Sequence, residues 1–130
     1  MLAVAAKVQD AVADLSLPEF HFGDQVMIYG NVCFRVEPGS ELQKLYGIVA
    51  ESLEDVVGPE CATKTPYQHF IAHTSLAYTK AQNNEADIEA RLSAANVESA
   101  KFKIVNMPLI KQRPVNGHYE WEIVKDIALS

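Results

Sequence analysis

The chain of 130 residues is 48% hydrophobic and 22% charged, a size and mixture that suit one globular domain and are too apolar for a disordered chain. No apolar run approaches the ~18 residues of a membrane span, and two cysteines, Cys33 and Cys61, are too few for a disulfide scaffold, so a reducing cytoplasmic setting is expected. Seventeen acidic against eleven basic residues give a net charge of −6, which disfavours long nucleic acids but leaves room for a local basic cleft that holds one phosphate.

The opening residues are apolar, yet Lys7 and Asp10 interrupt them and no basic region precedes them. A helix is therefore expected there in place of a signal peptide. Val4, Val8, Ala11, Val12 and Leu15 recur at helical spacing, and Pro18 closes the element. A hairpin follows. Residues 25–29 alternate, Gly30-Asn31 offers a two-residue turn, and Val32, Phe34 and Val36 share one face while Cys33 and Arg35 share the other.

Pro38-Gly39 ends that strand, and Ser40 with Gln43 makes a capping-box pattern. Leu42, Leu45, Tyr46, Val49, Leu53 and Val56 then mark a strongly amphipathic helix, stopped by Gly58-Pro59. Residues 58–66 read as a loop and residues 70–79 as a strand. Asn83-Asn84 can cap a third helix, with Glu85 and Asp87 in its first turn. Phe102 and Ile104 alternate with Lys101 and Lys103, and Pro108 assigns the far end to an edge or a bulge. Asn116-Gly117 marks a last turn before Tyr119, Trp121 and Ile123. The sum is an α+β class with mostly antiparallel pairing and flanking helices.

The chemistry concentrates in residues 70–78. On a strand His73, Ser75 and Ala77 point one way, and Thr74, Leu76 and Tyr78 point the other. The second set suits a core face. The first set puts an imidazole beside a hydroxyl, next to a small residue that leaves room for a ligand. An imidazole exchanges protons near neutral pH and a hydroxyl bonds a phosphoryl oxygen, which is what acid–base chemistry at a phosphate needs. Any three residues match H-x-S often, and a half-buried strand histidine with a satisfied ring is the competing reading. His69 and His73 would share a helix face and could hold zinc. On a strand they stand roughly 13 Å apart, so no metal is expected. Arg35 could clamp a phosphate, though a surface arginine is the plainer alternative. Tyr78 and Trp121 could stack a base, although aromatic strand residues more often serve the core. His118 beside its turn reads as solvated, and His21, at the start of the hairpin region, could face a cleft, although nothing in its spacing says so. Ser75 lacks the G-x-S-x-G turn of a serine nucleophile.

The run Pro66-Tyr67-Gln68-His69-Phe70-Ile71-Ala72-His73-Thr74-Ser75-Leu76-Ala77-Tyr78 resembles the second signature of the two-histidine phosphoesterases. That superfamily includes the 2′-5′ RNA ligase-like proteins and cyclic nucleotide phosphodiesterases, and its signature is H-x-[TS] followed by apolar residues. The order of elements is also similar: a helix, a hairpin, the Val36-Glu37-Pro38 step into the Leu42 and Leu45 helix, a strand, a helix, and a closing strand over His118-Tyr119-Glu120-Trp121-Glu122-Ile123. The resemblance implies a two-lobed fold, truncated here. Residues 1–15 resemble the helix after the family's first motif, so about two strands carrying that motif are expected to be missing.

The resemblance also implies His73 as acid or base, Ser75 as phosphate ligand, and no metal or other cofactor. The implied ligand is a small phosphodiester, such as a 2′,3′-cyclic phosphate or a 2′-5′-linked nucleotide. None of His21, His69 and His118 begins a second H-x-[TS]. Several outcomes stay open: a non-catalytic binding or interaction domain, a homodimer that rebuilds a cleft through an exposed sheet edge, another residue taking over, or an unrelated cyclase or isomerase in the same cleft.

Overall fold

In the computed structural model the described residues are 1–60, 70–79, 84–95 and 98–130. Cys61, His69, Asn83 and most of the loop expected over 58–66 lie outside them.

Helix α1 spans Leu2–Ala11. Its Val4, Ala5 and Val8, with Val12 just beyond it, pack against Leu45 and against Ile127 and Leu129 near the C-terminus. Strands β1 (Phe20–Ile28) and β2 (Asn31–Glu37) form the expected hairpin. Its turn is Tyr29-Gly30, one residue earlier than Gly30-Asn31, because Ile28 already pairs with Asn31. Both turn residues have positive φ, 49° and 79°, the primed geometry that matches the twist of the flanking strands.

Helix α2 spans Gly39–Val57 and ends at Gly58, whose φ is 88°. The expected capping box is not formed. Pro38 is the N-cap, so Ser40 already lies inside the helix, and no side chain caps the end. The Gly39 N–H instead donates to the Glu37 carboxylate at 3.4 Å. Strand β3 (His73–Tyr78) and helix α3 (Glu85–Ala94) follow. Asn84 caps α3 as expected, its side-chain oxygen accepting the Ala86 N–H at 3.0 Å.

The strand expected around Phe102 and Ile104 divides in two. Lys101–Phe102 is β4, and Asn106–Val115 is β5, which pairs with β6 (His118–Ala128) through the expected Asn116-Gly117 turn. The break at residues 103–105 moves the chain from one sheet to another, and Ile104 there packs against both apolar clusters.

The result is an α+β fold with a four-stranded antiparallel sheet in the order β3-β2-β1-β4 and a separate β5-β6 ribbon. No described helix is long and apolar enough to cross a membrane. One apolar cluster joins α1, α2 and the chain end, while the other gathers Phe20, Val36 and Ala72 with Phe22, Phe70 and Phe102 around them. The Phe22 ring lies 4.8 Å from Phe102 and 5.3 Å from Phe34, within the range of favourable ring contacts. Helix α3 covers part of β1's outer edge, where the Glu89 carboxylate accepts the Met27 N–H at 2.9 Å.

Phe20 has 0% of its surface exposed, and truncating it leaves a cavity beneath the sheet. Phe20→Ala is expected to cost about 3–5 kcal/mol, read as a lower urea midpoint at unchanged slope.

Candidate functional site

Pleating decides which side chains meet. Residues directly opposite on antiparallel strands share a face, and successive residues alternate. Phe20 stands opposite Phe102 and Phe22 opposite Val36, and these belong to the packed apolar cluster. The opposite face is polar. There Lys101 of β4 faces His21 of β1, His21 faces Glu37 of β2, Arg35 faces His73 of β3, and Cys33 faces Ser75. Five of these side chains, Lys101, His21, Arg35, His73 and Ser75, are exposed, on a chain whose overall charge is negative.

A bulge in β1 between Phe22 and Gln25 sets Gly23 against this face. A Cβ on Gly23 would lie 3.1 Å from Glu37 Cγ and 3.6 Å from Arg35 Cβ. Bare backbone here leaves the ground beside the Arg35 and Glu37 stems low.

The His73 ring is anchored by its own backbone. Its Nδ1 lies 2.6 Å from the Ile71 carbonyl oxygen. A carbonyl only accepts, so Nδ1 carries the proton in the neutral ring and Nε2 keeps a free lone pair. His73 also lines a cavity of about 210 Å³ with Ile28, Tyr29, Asn31, Tyr46, Phe70 and Ile71. Tyr46 and Phe70 stack at 4.7 Å between ring centres, 20° from parallel, and give that cavity an aromatic wall. The Ser75 hydroxyl lies 3.7 Å from the thiol of Cys33, which is fully buried.

Of the side chains singled out from the sequence, His73, Ser75 and Arg35 come together. Tyr78 shares their face, since its partner Asn31 lies on the side of Cys33 and Arg35, but it is set apart from them along the strand. It stands at the far end of β3 opposite Asn31, 73% exposed. The core face expected for Thr74, Leu76 and Tyr78 is limited to half-buried Thr74, since Leu76 is also exposed. The physical reason is twofold: among the described residues β3 has only β2 as a strand neighbour, and the register slips opposite Val32-Cys33, between Ser75 and Ala77. Trp121 lies in the other sheet, opposite Gln112 and 62% exposed. It borders a separate cavity of about 150 Å³ with Lys111, Arg113, Glu120 and Glu122. It is neither core nor part of the His73 face, because the outer part of the ribbon carries no buried side chain. His118 begins β6 and is exposed, as expected.

Glu37 and Lys101 join the face without a functional signal in the sequence, and His21 joins it at a position where its spacing alone carries none. The signal was present for His21: a polar residue between Phe20 and Phe22 must point away from the side that buries them. Among the described residues no group of three or more His, Cys, Asp or Glu could hold a metal ion. No family model, curated protein or solved structure matches the chain.

The Ile71 contact makes a direct prediction. In ¹⁵N-resolved NMR of the neutral imidazole, His73 is expected to carry its proton on Nδ1 and none on Nε2. A neutral ring protonated on Nε2 would contradict the arrangement.

Proposed function

We propose that the polar sheet face binds a small phosphodiester, a 2′,3′-cyclic phosphate or a 2′-5′-linked nucleotide, and that His73 moves protons at its phosphate without a metal. The observation that carries this reading is the anchored His73 ring, with Nε2 free, Ser75 on the same strand and Arg35 directly opposite. The likeness of His73-Thr74-Ser75 to the two-histidine signature supports it independently. In this reading the Ser75 hydroxyl donates to one phosphoryl oxygen and the Arg35 guanidinium to another, a task its planar fork suits. The aromatic wall of Tyr46 and Phe70 offers a stacking surface for a base.

Binding without turnover is the second reading, favoured by the single H-x-[TS] triplet in the chain. The two separate cleanly. Turnover of adenosine 2′,3′-cyclic phosphate is expected to fall about 10²–10⁴-fold in His73→Ala, with the fold intact by circular dichroism. A wild-type protein that binds adenosine 2′-monophosphate but turns nothing over would leave only the binding reading.

The proposal includes a cytoplasmic setting, which suits the free buried thiol of Cys33. It also includes a homodimer through the side of β3 away from β2, where no described strand pairs and Leu76 and Tyr78 are exposed. Light scattering is expected to give twice the chain mass, and a strict monomer at high concentration would remove the dimer from the account.

A further inference from the structure

We infer that the cavity between β1 and α3 binds a small primary ammonium ion, its head held by Gln25, Glu89 and Asp24. This is a second site, on the side of the sheet away from Arg35 and His73, and it does not rest on the phosphodiester reading.

The bulge in β1 makes the site. Phe22 stands opposite Val36 and Gln25 opposite Phe34, so Gly23 and Asp24 of β1 together answer Arg35 alone on β2. By alternation along a regular strand Gln25 would turn away from Phe22, toward the polar face. The extra residue returns it to the apolar side beside Phe34. There the Gln25 side-chain oxygen is the one buried side-chain oxygen or nitrogen without a hydrogen-bond partner among the described residues. A buried acceptor without a donor weakens a fold, and bulges that re-aim a side chain concentrate beside binding sites.

Gln25 lines a cavity of about 450 Å³ together with Asp24, Phe34, Glu89, Leu92 and Ser93, a volume in the range of small-molecule sites. Helix α3 supplies one wall and buries none of its own side chains, so apolar packing does not fill the gap between helix and sheet.

The lining sets the charge of the ligand. Asp24 and Glu89 are carboxylates, and no lysine, arginine or histidine lines the cavity. Neither carboxylate is ion-paired among the described residues. One Glu89 oxygen accepts the Met27 N–H at 2.9 Å, which holds that side chain against β1 and leaves its other oxygen to a ligand. The cavity therefore offers three acceptors: the Gln25 amide oxygen, the second Glu89 oxygen and the Asp24 carboxylate. A primary ammonium carries three N–H donors and no acceptor. Phe34 and Leu92 receive its carbon chain, and the Phe34 ring adds its own attraction for a cation. A phosphate would meet two carboxylates here and be repelled. The ligand touches both β1 and α3, so its binding clamps the helix to the sheet.

The test is amide NMR of the full chain titrated with n-pentylammonium chloride at neutral pH, with n-pentanol and tetramethylammonium chloride as controls. Saturable shift changes are expected at Gln25, including its side-chain amide, and at Glu89 and Leu92, with slower amide exchange along α3. Pentanol lacks the charge and tetramethylammonium lacks the N–H donors, so neither should saturate these signals. Gln25→Leu removes the acceptor at similar size, and Glu89→Gln removes the charge while keeping an oxygen for the Met27 N–H. Each should weaken pentylammonium binding about tenfold or more. Gln25→Leu should also keep or raise the urea midpoint, since it removes a buried oxygen that has no partner. If Gln25→Leu does not fold, the affinity of Glu89→Gln decides alone. No saturable change at these residues, an equal response to either control, or unchanged affinity in the folded variants would overturn the site. So would shifts spread over exposed carboxylates such as Asp10 and Glu51, the mark of diffuse attraction to a chain of net charge −6.

Discussion

The register of β2 with its two neighbours is the constraint on which the rest of the structure depends. Phe34 and Val36 must face the apolar side, where ring and aliphatic contacts with Phe22, Phe20 and Leu42 hold them. That demand sends Arg35 and Glu37 to the opposite side, because side chains alternate along a strand. Pairing with β1 and β3 then brings His21 and His73 to the same side. A slip of one residue would exchange the two faces, burying Arg35 and exposing Phe34. Core packing and the candidate chemistry are therefore two results of a single alignment.

The two apolar clusters divide the work of holding that alignment. The phenylalanine group fastens β1, β2 and β4 beneath the sheet, while α1, Leu45 and the chain end form a second body. Leu17, Leu42 and Ile104 touch both clusters, so α2 and the link between β4 and β5 lock the sheet to the helices. The polar face contributes little to this packing, since most of its side chains are exposed. Substitutions there are expected to change binding or catalysis with small effects on stability. The outer ribbon is the contrasting case. Ile110, Tyr119, Trp121 and Ile123 are exposed along it, and its cross-strand ion pair, Arg113 with Glu120 at 2.9 Å, is itself solvent-accessible and energetically small.

Much of the element order was legible in the sequence because it depends on local signals. The Leu42 to Val56 stripe, the Asn84 cap, the Asn116-Gly117 turn and a strand within residues 70–79, observed over His73–Tyr78, all follow from spacing and turn chemistry. Three things were not legible, each for a nonlocal reason. The turn at Tyr29-Gly30 required Tyr29 to accept positive φ, which sequence preference assigns to glycine and asparagine. The fate of Leu76 and Tyr78 depended on β3 having one strand neighbour among the described residues instead of two. The meeting of His21 with Arg35 and His73 depended on pairing between strands. Alternation alone put His73, Ser75 and Arg35 on polar faces, but only the register joins β1 to them. Trp121 shows the converse, since aromatic alternation predicts a buried face and says nothing about whether a second layer exists to cover it.

Amide NMR of the labelled protein titrated with adenosine 2′-monophosphate tests the central claim most directly, because it reports where an anion sits whether or not turnover follows. Shift changes gathered at His21, Gly23, Arg35, His73 and Ser75, spread over three adjacent strands, are the result this account predicts. Changes confined to Lys111 and Arg113 on the ribbon, or none at saturating ligand, would contradict it.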